Sequence, residues 1–128
     1  MQIHTVMLID DEPDIRRIAG LCLTRVGKWR VLLAASGEEA LELLSREKPD
    51  VILLDIMMPL MDGVATLARL RDRGLLAGTP VIFMTAKGQK QEVERYRSLG
   101  VAGVIVKPFD PLTLPQRIRT IIASQDSP

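Results

Sequence analysis

Residues 51–63 read Val-Ile-Leu-Leu-Asp-Ile-Met-Met-Pro-Leu-Met-Asp-Gly, and this stretch decides the fold. Four aliphatic residues run together without polar alternation, the pattern of a strand covered on both faces. An acid, Asp55, follows at once, then a loop broken by Pro59. A carboxylate placed directly after buried aliphatics is costly unless it has a purpose. Four similar runs occur at Val6–Ile9, Val31–Ala35, Val81–Met84 and Val104–Val106, with successive starts 20 to 30 residues apart.

Helix signals fill each gap. Asp11-Glu12-Pro13 offers a cap and a proline at the first helical position, followed by Ile15, Ile18, Ala19 and Cys22 at helical spacing. Ser36-Gly37-Glu38-Glu39 reads as a capping box ahead of Ala40, Leu41, Leu43 and Leu44. Asp62-Gly63 opens a third helix, and a more polar fourth runs from Gln89 to Leu99 with Gly100 to end it. Thr113 and Gln116 suggest a capping box for the last helix. Strand and helix alternate five times, which predicts an α/β fold: a doubly wound five-stranded parallel sheet with helices on both faces. Residues 1–124 form the predicted domain, and 125–128 a frayed tail or the start of a linker.

Composition narrows the function. A chain of 128 residues, 47% hydrophobic and 26% charged, is one ordinary globular domain. The 17 basic and 16 acidic residues leave a net charge of +1, so no basic excess points to nucleic acid. One Trp, one Tyr and two Phe make no base-stacking platform. Cys22 is alone, which excludes an internal disulfide and a cysteine metal cluster. No secretory signal or membrane-length apolar run is evident, and a cytoplasmic location is expected. No G-x-G-x-x-G follows the first strand, which excludes a dinucleotide-binding domain.

Polar residues gather at the strand ends. Asp10 and Asp11 follow the first strand, Asp55 the third, Thr85 the fourth and Lys107 the fifth. Ligands of open α/β sheets bind at that edge. Two carboxylates ~4 Å apart repel by about 4 kcal/mol at an effective dielectric near 20. Three therefore need a proton or a cation among them. An all-oxygen set suits Mg²⁺, with Mn²⁺ as the alternative. Asp is also a nucleophile toward phosphorus, with Lys107 and Thr85 as donors to phosphoryl oxygens. For the acids to share one ion, strands 1 and 3 must be neighbours ~5 Å apart, which favours the order 2-1-3-4-5.

These residues resemble the receiver domain of two-component response regulators. The elements that match are L-I-D-D-E-P at 8–13, V-I-L-L-D-I-M-M-P-L-M-D-G at 51–63, F-M-T-A-K at 83–87 and V-K-P-F at 106–109. The resemblance implies a flavodoxin-like fold and covers nearly the whole chain. It implies that Asp55 is the phosphoacceptor, that Asp11 and Asp55 bind Mg²⁺ directly, and that Asp10 holds it through water. It further implies a backbone carbonyl ligand from Met57, switch and catalytic roles for Thr85 and Lys107, and a cis Lys107–Pro108 peptide. By the same resemblance, Met57 and Lys87 occupy positions that tune water access in the family. Met57 has no group to position an attacking water, so the phosphorylated form is expected not to be unusually short-lived.

One position departs from the resemblance. The family commonly has Tyr or Phe three residues before the lysine, where this chain has Val104. A valine has no ring to turn inward, which sets the readout on the face of the fourth helix, fifth strand and fifth helix apart from the usual one. The implied partners are a histidine kinase or phosphotransfer protein and an unidentified downstream protein on that face, with homodimerisation on phosphorylation an open alternative. No nucleic acid or membrane contact and no turnover enzyme are expected. The alternatives are a pseudo-receiver that no longer switches and an Asp-nucleophile phosphohydrolase. The short segments between strands leave the latter no insertion to cover a substrate. Singly, Asp10 and Asp11 also fit a plain helix cap, and His4 a surface residue. Trp29 either covers the core's lower edge or faces a partner.

Overall fold

The computed structural model describes residues 2–86 and 88–125. Five strands, β1 (Thr5–Ile9), β2 (Arg30–Ala34), β3 (Val51–Asp55), β4 (Val81–Thr85) and β5 (Gly103–Val106), form one parallel sheet in the order β2-β1-β3-β4-β5. Five helices alternate with them: α1 (Pro13–Arg25), α2 (Gly37–Leu44), α3 (Gly63–Asp72), α4 (Lys90–Arg97) and α5 (Leu114–Gln125). The expected doubly wound architecture and strand order are present, with β1 and β3 adjacent and Ile9 level with Leu54.

The continuous aliphatic runs follow from burial on both faces. Met7, Ile9, Ile52, Leu54 and Phe83 pack toward α2, α3 and α4. Val6, Leu8, Leu53, Ile82, Met84 and Ile105 pack toward α1 and α5. Alternate residues of one strand thus serve opposite layers. Each fully buried aliphatic side chain contributes about 1.5–3 kcal/mol. The run at 31–35 departs from this pattern. It is β2, the edge strand, shifted one residue earlier than expected, with Arg30 and Leu33 exposed.

Helix ends match the sequence signals unevenly. Ser36 Oγ accepts from the Glu39 amide at 3.1 Å, and Asp62 Oδ1 accepts from the Ala65 amide at 2.8 Å. Pro13 opens α1, but its N-cap, Glu12, makes no side-chain cap. The box expected at Thr113 and Gln116 does not form. The Thr113 amide and hydroxyl both donate to the Asp110 carbonyl, and Gln116 reaches Thr120 instead. Gly100 ends the α4 segment at φ +85°, a left-handed conformation that favours glycine.

The lower edge of the sheet is closed by Trp29, 6% exposed, with the Arg119 guanidinium 4.7 Å above its ring and bonded to the Gly27 carbonyl at 2.9 Å. Trp29 therefore covers the core. His4 is exposed at the same edge, where Asp50 Oδ2 accepts from the His4 and Thr5 amides. Helix α5 runs through Gln125, the first residue of the segment expected as a tail or linker. The Gln125 side chain donates to the Ala102 carbonyl at 3.1 Å. Residues 126–128 lie outside the described residues. Among the described residues, no helix is long and apolar enough to cross a membrane.

Candidate functional site

The carboxyl ends of β1, β3, β4 and β5 bring the expected polar residues together. Asp10 follows Ile9 beside Asp55, and Lys107 follows Val106 beside Thr85, whose carbonyl accepts the Lys107 amide at 2.7 Å. Asp10, Asp55 and Thr85 are buried, and Asp11 is half-buried. One oxygen from each of Asp10, Asp11 and Asp55 lies within 4.8 Å of the others, an acidic cluster that could hold a metal ion. Parallel strands at ~5 Å spacing, each ending in an acid at the same level, produce this cluster directly.

Lys107 reaches across it. Its Nζ is 2.8 Å from Asp10 Oδ2, 3.3 Å from Asp55 Oδ1 and 3.5 Å from Glu12 Oε1. Burial alone would lower the Lys107 pKa. The hydrogen bond and charge of Asp10, then those of Asp55, outweigh it and hold the ammonium above its ordinary 10.5. Asp55 shifts the other way. Burial first, then the Asp10 charge, push its carboxyl up from 3.8 to about 6, while Lys107 and the Met57 amide pull against them. One lysine does not neutralise this many acids.

Asp10 has every polar atom engaged. Its amide donates to the Ala34 carbonyl, Oδ1 accepts from the Glu12 amide at 2.9 Å, Oδ2 meets Lys107, and its carbonyl accepts from Arg16 Nη1 at 2.8 Å. Asp10 thus does brace the turn into α1, but that role uses only one of its two carboxylate oxygens. Asp11 Oδ1 and Asp55 Oδ2, by contrast, are buried with no hydrogen-bond partner. Leaving a buried acceptor unpaired costs about 1–3 kcal/mol, more when it is charged. A hard cation between these oxygens would relieve both, so the donor set fits such an ion.

Met57 projects its side chain outward, 57% exposed, at the mouth of the site. Lys87 lies outside the described residues. Val104 is buried level with Phe83 on β4. On the same side of the sheet Tyr96 of α4 is buried and edge-on to Phe83, with centroids 5.6 Å apart. Sequence reasoning did not single out Tyr96, Glu12 or Arg16. Tyr96 is the one aromatic residue in a helix that is otherwise polar except for Val93, which is the signal that could have marked it.

A parallel β2-β1-β3-β4-β5 sheet with an acid cluster and a lysine at its carboxyl edge defines a flavodoxin-like domain of the receiver kind. The response regulator receiver domain model matches residues 6–119, and the chain belongs to this family. It is similar to the transcriptional regulatory protein AfsQ1 of Streptomyces coelicolor, 38% identical over 118 residues that cover 92% of this chain and 51% of that protein. The chain spans about half the length of the curated relatives it matches. Among solved structures, it resembles the chemotaxis protein CheY4 of Vibrio cholerae, with 29% identity, a TM-score of 0.84, and coverage of 94% of this chain and 99% of that one. A CheY-like receiver domain protein of Methanospirillum hungatei gives 30% identity, a TM-score of 0.81, and coverage of 97% and 98%.

Proposed function

We propose that Asp55 accepts a phosphoryl group from a phosphohistidine of a histidine kinase or phosphotransfer protein, that Mg²⁺ is required, and that the modified chain binds a downstream partner differently. The observation that carries this reading is Asp55 itself, a buried carboxylate with Oδ2 unpartnered and Oδ1 3.3 Å from a lysine, inside a cluster of acids. Asp10, Asp11, Asp55 and the Met57 carbonyl would hold the ion. When bound, it supplies charge neutralisation between the carboxylates and the incoming phosphoryl oxygens.

The chain's own groups do the rest. An Asp55 oxygen bonds to phosphorus as the P–N bond to the donor imidazole breaks, and the nitrogen keeps the electron pair and takes a proton. The product is an acyl phosphate, which water returns to Asp55 and inorganic phosphate. Lys107 exchanges part of its contact with the carboxylates for the phosphoryl oxygens, and Thr85 supplies a hydroxyl at the end of β4. Burial keeps bulk water away from the bond. Release of Thr85 and Lys107 from their resting contacts biases the two-state packing of the α4–β5–α5 face, where the partner binds. This is a self-catalysed, stoichiometric modification rather than turnover, and it belongs to the cytoplasm. By the likeness to a transcriptional regulatory protein, the output is transcriptional.

The test is intact-mass analysis after incubation with phosphoramidate, with and without Mg²⁺, beside Asp55→Asn. One added phosphoryl group that needs Mg²⁺ and is absent from the variant supports the reading. The same adduct on Asp55→Asn contradicts it.

A further inference from the structure

Arg16 stands outside the cluster yet is bonded to its frame. It lies one turn inside α1 and reaches back six residues, so that Nη1 donates to the Asp10 carbonyl at 2.8 Å in a half-buried setting. Among the described residues it forms no ion pair, although acids crowd the neighbouring loop. Its neighbour Arg17 points to solvent and pairs with exposed Asp14 at 3.4 Å. The two adjacent arginines thus have the same charge and different tasks.

The carbonyl that Arg16 holds belongs to the peptide joining Asp10 to Asp11. The plane of that peptide sets the direction in which the Asp11 side chain leaves the backbone. Asp11 is the acid whose Oδ1 is buried without a partner. The other side of the same turn is fixed by Asp10 Oδ1 on the Glu12 amide. With the Asp10 amide tied to β2, the turn is braced at three points, and Arg16 supplies the only side-chain donor to its backbone among the described residues.

We propose that Arg16 is a positioning residue for the divalent-ion site, fixing the Asp10–Asp11 peptide so that Asp11 faces the ion. This rests on the reading that the acid cluster holds such an ion. The sign of the effect separates the proposal from simple electrostatics. A guanidinium near the acids repels an incoming cation, so removing its charge should tighten ion binding if charge were its only action. Removing a brace should weaken it. Outer-shell partners of metal ligands typically change affinity by about 10–100-fold. Arg16 acts one peptide away from the ligand, so the lower end, about tenfold, is expected.

The experiment titrates Mg²⁺ by calorimetry, and Mn²⁺ by its electron paramagnetic resonance signal, into wild type, Arg16→Met and Arg17→Met. Thermal unfolding without metal monitors the fold. The proposal expects about tenfold weaker binding in Arg16→Met, an unchanged or slightly tighter value in Arg17→Met, and faster amide exchange at Glu12 in Arg16→Met alone. Equal or tighter binding by Arg16→Met overturns the proposal while leaving the ion site standing. Absence of binding by wild type overturns the ion site and the proposal with it. If Arg16→Met fails to fold, Arg16→Lys carries the same comparison, because it keeps the cation while its single ammonium loses the planar reach to the carbonyl.

Discussion

Replacing Asp55 by Asn should stabilise the metal-free protein at neutral pH. In the folded chain its carboxyl titrates near 6, against an ordinary value of 3.8. The folded state therefore binds the proton more tightly than the unfolded state does, and protonation favours folding. That contribution is fully present below pH 3.8 and is lost as pH rises through 6. A difference of about two units at 1.36 kcal/mol each gives a penalty of about 3 kcal/mol above pH 7. Asn keeps the shape and cannot ionise. Its amide N–H donors must find partners beside Lys107, which takes back about 1 kcal/mol and leaves a gain of about 2 kcal/mol. For a domain of this size, that raises Tm by about 6–10 °C. The assay is thermal and urea unfolding of both proteins in EDTA from pH 4 to 8, with Asp14→Asn as an exposed-acid control. The gap should be widest above pH 7, close toward pH 4, and shrink when Mg²⁺ is added to the wild type. A gap that is absent at pH 7.5, or does not change with pH, refutes the argument that burial and Asp10 strain this carboxylate.

Three further outcomes follow from the same geometry. Lys107→Met leaves Asp10 and Asp55 buried without their cation, and a broken buried pair typically costs about 3–5 kcal/mol; urea unfolding at pH 7.5 should show a loss of that order, and a loss below about 1 kcal/mol would mean solvent reaches the acids. Gly63→Ala places a methyl group 2.5 Å from the Asp55 carbonyl oxygen and 2.7 Å from Ile56 Cα. Backbone on both sides cannot yield, so the variant should lose about 2–3 kcal/mol in the same assay and bind Mg²⁺ more weakly. Met57, exposed and apolar beside the site, offers no group to orient water; the acyl phosphate, followed by loss of the mass adduct, should persist for minutes or longer, and a half-life of seconds would contradict this.

Much of the fold was legible because parallel strands are buried on both faces and leave unbroken aliphatic runs. The run at 51–54 and its terminal acid named both a strand and a site. The strand order followed from the need to bring Asp10, Asp11 and Asp55 to one place, and the β1–β3 pairing satisfies it. The same order puts the second strand at the edge, where it lies, although the run Val31 to Ala35 by itself looks like a strand covered on both faces. Helix α5 starts directly after Thr113 as expected, but its capping box does not form because the Asp110 carbonyl, three residues upstream, takes the Thr113 amide and hydroxyl. Local hydrogen bonding of this kind overrides a capping motif. Arg16 and Glu12 were missed for a different reason. Their roles depend on where a flexible side chain ends, and no spacing along the chain encodes that. Tyr96 was missed as well: its ring lies edge-on to Phe83 from α4, a contact that no motif along the chain encodes.

The central claim is that Asp55 is the phosphoryl acceptor of this site. The most direct measurement treats the chain with phosphoramidate and Mg²⁺, reduces it with borohydride, and sequences the peptides by mass spectrometry. An acyl phosphate on aspartate is converted to homoserine at the modified position. The account predicts homoserine at residue 55, dependent on Mg²⁺ and absent without the donor. Homoserine at residue 10 or 11, or a phosphoryl group that resists borohydride on another side chain, would contradict it.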